Sequence, residues 1–597
     1  MLAAVAALAV TVALAPDASA EERRLPQLQA LAADDVVDAY GVGIHLNFLD
    51  TPYRDADAVA AALADLGVRH VRDDLYLDAP RQYAAIARVA AQGIRFNLIM
   101  GRPGNGTPQD YVDTVADRLP AGSVESIEGV NEWDLFSGGG DWVTQVKDWQ
   151  AGLWAAAKSR PATADLPVLS PALAFRWNYA QAGDLSEHAD VANAHMYPGG
   201  HRPSHEITRI TAAVRSSVPD GPLVTTEAGY HNALTTSNSH RPVPEDVAAA
   251  YLPRLLLEHV GRGEQRMYGY ELIDSFADED LDNPEAHFGL LRHDLSPKPA
   301  YTAMRNLLAL LEDPGPSIDP GTLGIAARGL PSDARYLLTE KRDGSRVLLL
   351  WRDVSLWDAD AQQPVAVTPA AVQLQLEADH EISVHRPTES AEPVHHTAGT
   401  SVPLTLDGQV TAVEIDPIDP ADPPLPTDVT VRPGDGTATV RWGLAASDVA
   451  ATGFRITRLP DGEPQVVGAA ARSFADTGLV NGQAYSYEVR TLTASGPSAA
   501  VASPQFVPAG RPVLTARPKA TPGKRRVTVT WPAADPRGSA VTAYRLTVGG
   551  RTVQVGPTVS RRTIRGLPRH QRLRVGVAAR NGVGWGPVAH TRFVRTR

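Results

Sequence analysis

Two segments of this chain each place a glutamate at the end of an apolar run. Residues 126–133 read Ser-Ile-Glu-Gly-Val-Asn-Glu-Trp, and residues 223–230 read Leu-Val-Thr-Thr-Glu-Ala-Gly-Tyr. A pair of carboxylates such as Glu132 and Glu227 suits hydrolysis of a glycosidic bond with retention of configuration. One carboxylic acid protonates the departing oxygen while the other carboxylate attacks the anomeric carbon, with the two held roughly 5 Å apart. Their separation of 95 positions leaves room for several intervening strands and helices.

Such a pair needs a frame that brings distant segments together. From about residue 37 to 312, short apolar runs alternate with amphipathic stretches such as 55–66, 81–91 and 247–259, the pattern of a parallel sheet wrapped by helices. Eight strands are expected, at 42–46, 70–72, 94–100, 126–131, 168–170, 191–195, 223–226 and 267–272. Eight such units in fewer than 300 residues point to a (β/α)8 TIM barrel, whose sites are built at the carboxyl ends of the strands. Those ends carry His45 and Asn47, Arg72, Asn131 and Glu132, His195 and Tyr197, Glu227, and Glu271 with Asp274. Any one of these has a plain reading as a solvated loop residue or a satisfied core group. Their recurrence at the ends of six strands favours one polar pocket.

The Asn131-Glu132 pair, Glu227, Arg72 and the His195-x-Tyr197 segment, in this order and spacing, resemble the retaining TIM-barrel glycosidases of clan A. The Gly-Val-Asn-Glu and Thr-Thr-Glu contexts are most similar to family 39 or family 5 enzymes. The resemblance covers about residues 37–312. It implies Glu132 as general acid and base, Glu227 as nucleophile, Asn131 on the sugar 2-hydroxyl, and His195 and Tyr197 orienting Glu227 and the ring. Arg72 beside Glu227 would favour its ionised form. Strand eight departs from the pattern. Where much of the clan ends in a tryptophan, this chain reads Tyr268-Gly269-Tyr270-Glu271-Leu272-Ile273-Asp274. Tyr270 would then supply the platform, or Glu271 or Asp274 a polar contact to sugar hydroxyls. Trp133, Trp142, Trp177 and Tyr179 are further stacking candidates, or packed core aromatics.

At 597 residues the chain exceeds one core, and several domains are expected. After Asp313-Pro314-Gly315-Pro316, alternating runs suggest an accessory β-sandwich over 316–417. Residues 418–426 read as a proline-rich linker, followed by two modules, 427–508 and 512–597, that resemble fibronectin type III domains. Each has an alternating strand ending in tryptophan, Trp442 or Trp531, and Tyr485 is placed for a tyrosine corner. These modules read as spacers or as a weak contact to cell-wall polymers. The second is visibly basic through Lys519, Lys524, Arg525, Arg526, Arg551, Arg561, Arg562 and Arg565, which suits anionic wall polymers or simply a solvated face.

A formal charge of -12 argues against nucleic acid or an anionic membrane as the main partner and favours a neutral or polar poly- or oligosaccharide. There are no cysteines, which excludes thiol nucleophiles and zinc-thiolate sites. Residues 1–20 form an apolar run ending in a small-x-small pattern. They read as a secretory signal, so a secreted enzyme with no membrane contact after its removal is expected; a short anchor is the other reading. The acidic loop 278–285 has Asn283 where a calcium-binding loop needs glycine, so neither a metal nor another cofactor is expected. A barrel that binds sugar without cleaving it, and a transglycosylase, remain as other classes. A peptide or ester hydrolase finds neither His-Glu-x-x-His nor Gly-x-Ser-x-Gly.

Overall fold

A computed structural model describes residues 22–597 apart from 239 and 420. The apolar segment 1–20 lies outside the described residues. All eight expected strands form. They are β1 (Tyr40–Gly43), β2 (His70–Asp74), β3 (Arg95–Ile99), β4 (Val124–Glu128), β5 (Val168–Leu169), β6 (Ala192–His195), β7 (Leu223–Ala228) and β8 (Arg266–Gly269). They pair in parallel from β5 back through β1 to β8, β7 and β6. A bridge between Leu169 and Val191 closes the ring, so the sheet is a barrel with no open edge. The strands are short and nearly all buried because helices cover the outside and side chains fill the inside.

Register places the polar strand residues in rows. Arg72 lies beside Gly43 and Asn97, and Asn97 lies beside Ser126. Between β6 and β7 the pairing slips, from Ala194 opposite Thr225 to His195 opposite Glu227. The same stretch slips against β8, where Met267 faces Thr225 and Gly269 faces Ala228. This local bulge re-aims Glu227 and sets it directly beside His195. The other end of the barrel is sealed by ionic groups. His70 lies 2.8 Å from Asp38 and 2.7 Å from Glu125, and Tyr268 donates to Glu125 at 3.0 Å.

The β-sandwich differs from the expected 316–417 in one respect. Its eight-stranded sheet begins with Glu22–Gln29, which pairs antiparallel with Thr322–Arg328, and includes Leu31–Ala32 beside Ala334–Glu340. The described chain therefore passes from the sandwich through the barrel and back. Helix Glu245–Val260 lies between the two domains and is buried on almost every side, which is why its apolar residues form no single stripe. From it Arg254 donates to the carbonyls of Gly408 (3.0 Å) and Val354 (2.9 Å), while Trp351 of the sandwich donates to Glu258 at 2.8 Å. Trp351, Trp357, Val410 and Ala412 join the barrel core.

The two C-terminal modules are each built from two packed antiparallel sheets, with Trp442 and Trp531 in their cores. In the first, Tyr485 accepts from the Val480 amide at 3.1 Å, the corner bond expected from its position.

Arg254 is buried with two carbonyl partners and no carboxylate on it, so Arg254→Ala leaves both carbonyls without a donor. Denaturant titration should show a loss of about 2–4 kcal/mol. A change under about 0.5 kcal/mol would mean that this contact does not hold the two domains together.

Candidate active site

Beyond β4 the chain turns sharply. Asn131 bridges to Ala172, and Glu132 sits at φ 46°, ψ 38°, in the left-handed region, with its amide bonded to the Ala172 carbonyl at 2.9 Å. A glutamate gains nothing from that conformation, which costs on the order of 1 kcal/mol or more. Here it caps the short helix Trp133–Phe136 and holds its carboxylate over the end of the barrel.

Arg72 is the centre of the site. Its Nε and Nη2 donate to the two oxygens of Glu128 at 2.8 and 2.7 Å, Nη2 also to Asn131 Oδ1 at 2.7 Å, and Nη1 to Glu227 Oε1 at 2.6 Å. Glu128, fully buried, also accepts from Asn97 at 2.5 Å. The other oxygen of Glu227 accepts from Tyr197 at 2.6 Å. Burial alone would raise the Glu227 pKa. The charges of His195 and Arg72 and the hydrogen bonds from Tyr197 and Arg72 outweigh it and hold the carboxyl down at about 2. Glu227 is thus an anion kept ionised in a desolvated place.

His195 Nδ1 lies 2.8 Å from Glu132 Oε1 and 3.4 Å from Glu227 Oε2. Burial disfavours the imidazolium, but Glu227 and Glu132 overcome it and move the pKa above the usual histidine value. Nε2 lies 3.4 Å from Arg72 Nη2, a contact that suits the neutral Nδ1–H tautomer. In either protonation state Nδ1 carries a proton directed at Glu132. The nearest ligand-type atoms of Glu132, His195 and Glu227 all lie within 4.8 Å of one another. This is the one group among the described residues that could hold a metal ion, but a cation there would face the Arg72 guanidinium, and both Glu227 oxygens already accept hydrogen bonds.

The remaining residues divide clearly. Asn131 turns its oxygen to Arg72, which leaves its amide N–H groups for a ligand. His45 stacks on Phe48 with ring centroids 4.5 Å apart, and its Nε2 lies 3.1 Å from Glu271. Although burial opposes it, the carboxylates of Glu271, Asp73 and Asp74 raise the His45 pKa to about 9. Tyr270 sits edge-on to His45, Tyr197 and Phe288, and a cis peptide joins it to Glu271. The expectation that Glu271 or Asp274 touches sugar hydroxyls is not met. Glu271 is 1 % exposed, accepting from Tyr53 at 3.1 Å, and Asp274 is buried against Lys298 at 2.9 Å. The Glu271 oxygen that accepts from Tyr53 also meets His45. Trp133 is also drawn aside, donating from its indole to Gln145 at 2.5 Å.

Strand-end spacing gives Glu128 no role and does not single out Asn97 or Tyr53. The available signal was a polar residue within an apolar strand, as at Asn97, Glu128 and Asn193, since a buried polar group needs a partner.

Removing the Tyr197 hydrogen bond to the Glu227 anion should raise the Glu227 pKa. The acid limb of the rate profile of Tyr197→Phe should therefore lie at higher pH than in the unaltered chain. An unmoved limb would mean that Tyr197 does not hold Glu227 ionised.

No protein-family profile matches the chain, and no curated protein matches it. Solved structures similar to it include a family 39 glycoside hydrolase from Bacteroides cellulosilyticus WH2, with 15 % identity, TM-score 0.42, and 64 % of this chain and 82 % of that one covered. A monomeric beta-xylosidase from Caulobacter crescentus CB15 shows 15 % identity and TM-score 0.46, covering 66 % of this chain and 98 % of that one. A two-domain fibronectin type III segment of chicken tenascin covers 29 % of this chain and 99 % of its own at 19 % identity and TM-score 0.19.

Proposed function

We propose that the protein is a retaining glycoside hydrolase acting on a poly- or oligosaccharide. The observation that carries this reading is the closeness of Glu132 and Glu227, whose nearest oxygens lie within 4.8 Å. Inverting enzymes need roughly 6.5–9.5 Å between carboxyl groups to admit a water, whereas roughly 5 Å suits direct attack. Glu227 attacks the anomeric carbon as Glu132 gives its proton to the leaving oxygen. Glu132 then takes a proton from the water that releases the sugar. The amide of Asn131 donates to the 2-hydroxyl, and Arg72 aligns Asn131 with Glu227. Once Glu227 is esterified, Arg72 keeps Glu128 as its bidentate partner, so the guanidinium is never left unpaired.

The loops after Glu132 and β5 support an extended substrate. Asp134 accepts from the amides of Ala174 and Phe175 and ties the two loops together. Phe175 stacks on Trp177 with centroids 5.1 Å apart, and Trp177 and Phe136 are more than half exposed. Asp134, two residues after Glu132, ties this loop to the acid, and in this reading the exposed faces line the path of the leaving sugar. No helix among the described residues is long and apolar enough to cross a membrane. The apolar leader in the sequence makes secretion part of the same proposal.

Two alanine variants and azide provide the test. Each should lose roughly 10²–10⁴-fold or more in turnover. With an activated aryl glycoside, azide should restore Glu132→Ala with a glycosyl azide of retained configuration, and Glu227→Ala with one of inverted configuration. The opposite stereochemistry would exchange the two roles. Full activity in either variant would remove the two-glutamate mechanism. Trp177→Ala should raise KM about 5-fold on oligosaccharides and leave small aryl glycosides unchanged. Equal effects on both substrates would place Trp177 outside the leaving-sugar path.

A further inference from the structure

The last module, 512–597, holds 18 lysines and arginines against a single carboxylate, Asp535. Its neighbour with the same two-sheet build, 427–508, holds 6 basic and 7 acidic residues. The fold itself does not ask for this charge. Within the last module the charge is also ordered. In the three-stranded sheet Lys519–Gly523, Arg526–Thr530 and Arg561–Arg565, the residues between buried Val527, Val529 and Ile564 face outward in three rows. Register sets Lys519 beside Thr530 and Thr530 beside Arg561; then Thr521, Thr528 and Thr563; then Gly523, Arg526 and Arg565.

Arg526 and Arg565 are therefore direct cross-strand neighbours of like charge, an arrangement that destabilises a sheet. Lys519, Arg526, Arg561 and Arg565 are all exposed, and none takes part in an ion pair among the described residues. The matching rows of the other module pair Thr437 with Thr477, Thr439 with Ala475, and Arg441 with Ser473, so no basic group there faces another. A face with Arg526 and Arg565 on adjacent strands about 5 Å apart, and Lys519 and Arg561 about 10 Å apart on either side of Thr530, with a row of hydroxyls between the two basic rows, complements a polymer that repeats both negative charge and hydroxyls.

We propose that this face binds an anionic polysaccharide, one bearing carboxylate or sulfate groups, and holds the enzyme on it. The choice of a polysaccharide over other polyanions rests on the glycosidase reading; the electrostatic complementarity does not. Holding the chain on a polymer raises the effective concentration of substrate at the barrel without any change in the active site.

The test uses the full chain carrying Glu227→Gln, so that binding is read without turnover, titrated with polygalacturonate and with a neutral glucan of similar length. Binding to polygalacturonate, falling steeply with salt, is expected, along with at least a ten-fold loss on adding Lys519→Ser, Arg526→Ser, Arg561→Ser and Arg565→Ser. In the active chain those four changes should leave KM for a small aryl glycoside unchanged and the thermal midpoint level or higher. Should the fourfold variant not fold, Lys519→Ser with Arg561→Ser provides the same comparison with a smaller loss. Undiminished binding by the variants, or equal binding of the neutral glucan, would overturn the proposal. So would tighter binding of duplex DNA or of phosphatidylglycerol vesicles at the same salt. A chain that binds polygalacturonate but turns over no glycoside would contradict the glycosidase reading and leave the anionic-polymer face standing.

Discussion

One buried guanidinium organises the end of the barrel. Arg72, 4 % exposed, bonds both oxygens of Glu128, one of Glu227 and the amide oxygen of Asn131, and so joins β2, β4 and β7 through a single planar group. A charge so far from water is tolerable only when its donors are satisfied and its field is balanced. Glu128 supplies the permanent balance. In the proposed mechanism Glu227 is the partner whose charge the chemistry consumes, which separates the structural carboxylate from the reactive one although both touch the same arginine.

The rest of the site follows from that division. His195 can keep a proton aimed at Glu132 because two carboxylates lie beside it. The bulge in β7 brings Glu227 level with His195, and the left-handed Glu132 swings the acid over the same point. Each is a departure from regular backbone at a place where function sets the geometry. Nearby, Tyr53 and Glu271 fix His45, and Lys298 fixes Asp274, so this part of the barrel end is built from satisfied buried charges. The sandwich supports the barrel through helix Glu245–Val260, which bonds to Val354, Gly408 and Trp351 of the β-domain that the chain leaves and re-enters.

Much of this was legible in local pattern. Apolar runs of three to seven residues alternating with 3.6-residue periodicity mark the barrel, and the polar residue after each run marks the candidate site, which is how Glu132, Glu227, Arg72, His195 and Tyr197 are found. Partnership was less legible. That Glu271 is spent on Tyr53 and His45, or that Glu128 holds Arg72, depends on contacts across 56 to 226 residues that no local spacing encodes. The strand Glu22–Gln29 was missed for the same reason: its polar residues become a strand only through pairing with Thr322–Arg328. The slip at Thr226 arises from packing between three neighbouring strands.

The measurement closest to the central claim is trapping of the covalent intermediate. A 2-deoxy-2-fluoro glycoside with a good leaving group slows release of the sugar from the enzyme, and mass spectrometry of the digested protein locates the adduct. An adduct of one sugar on Glu227 is the expected result. An adduct on Glu132 or Glu128, or turnover of the reagent with no adduct and inverted product, would contradict the account.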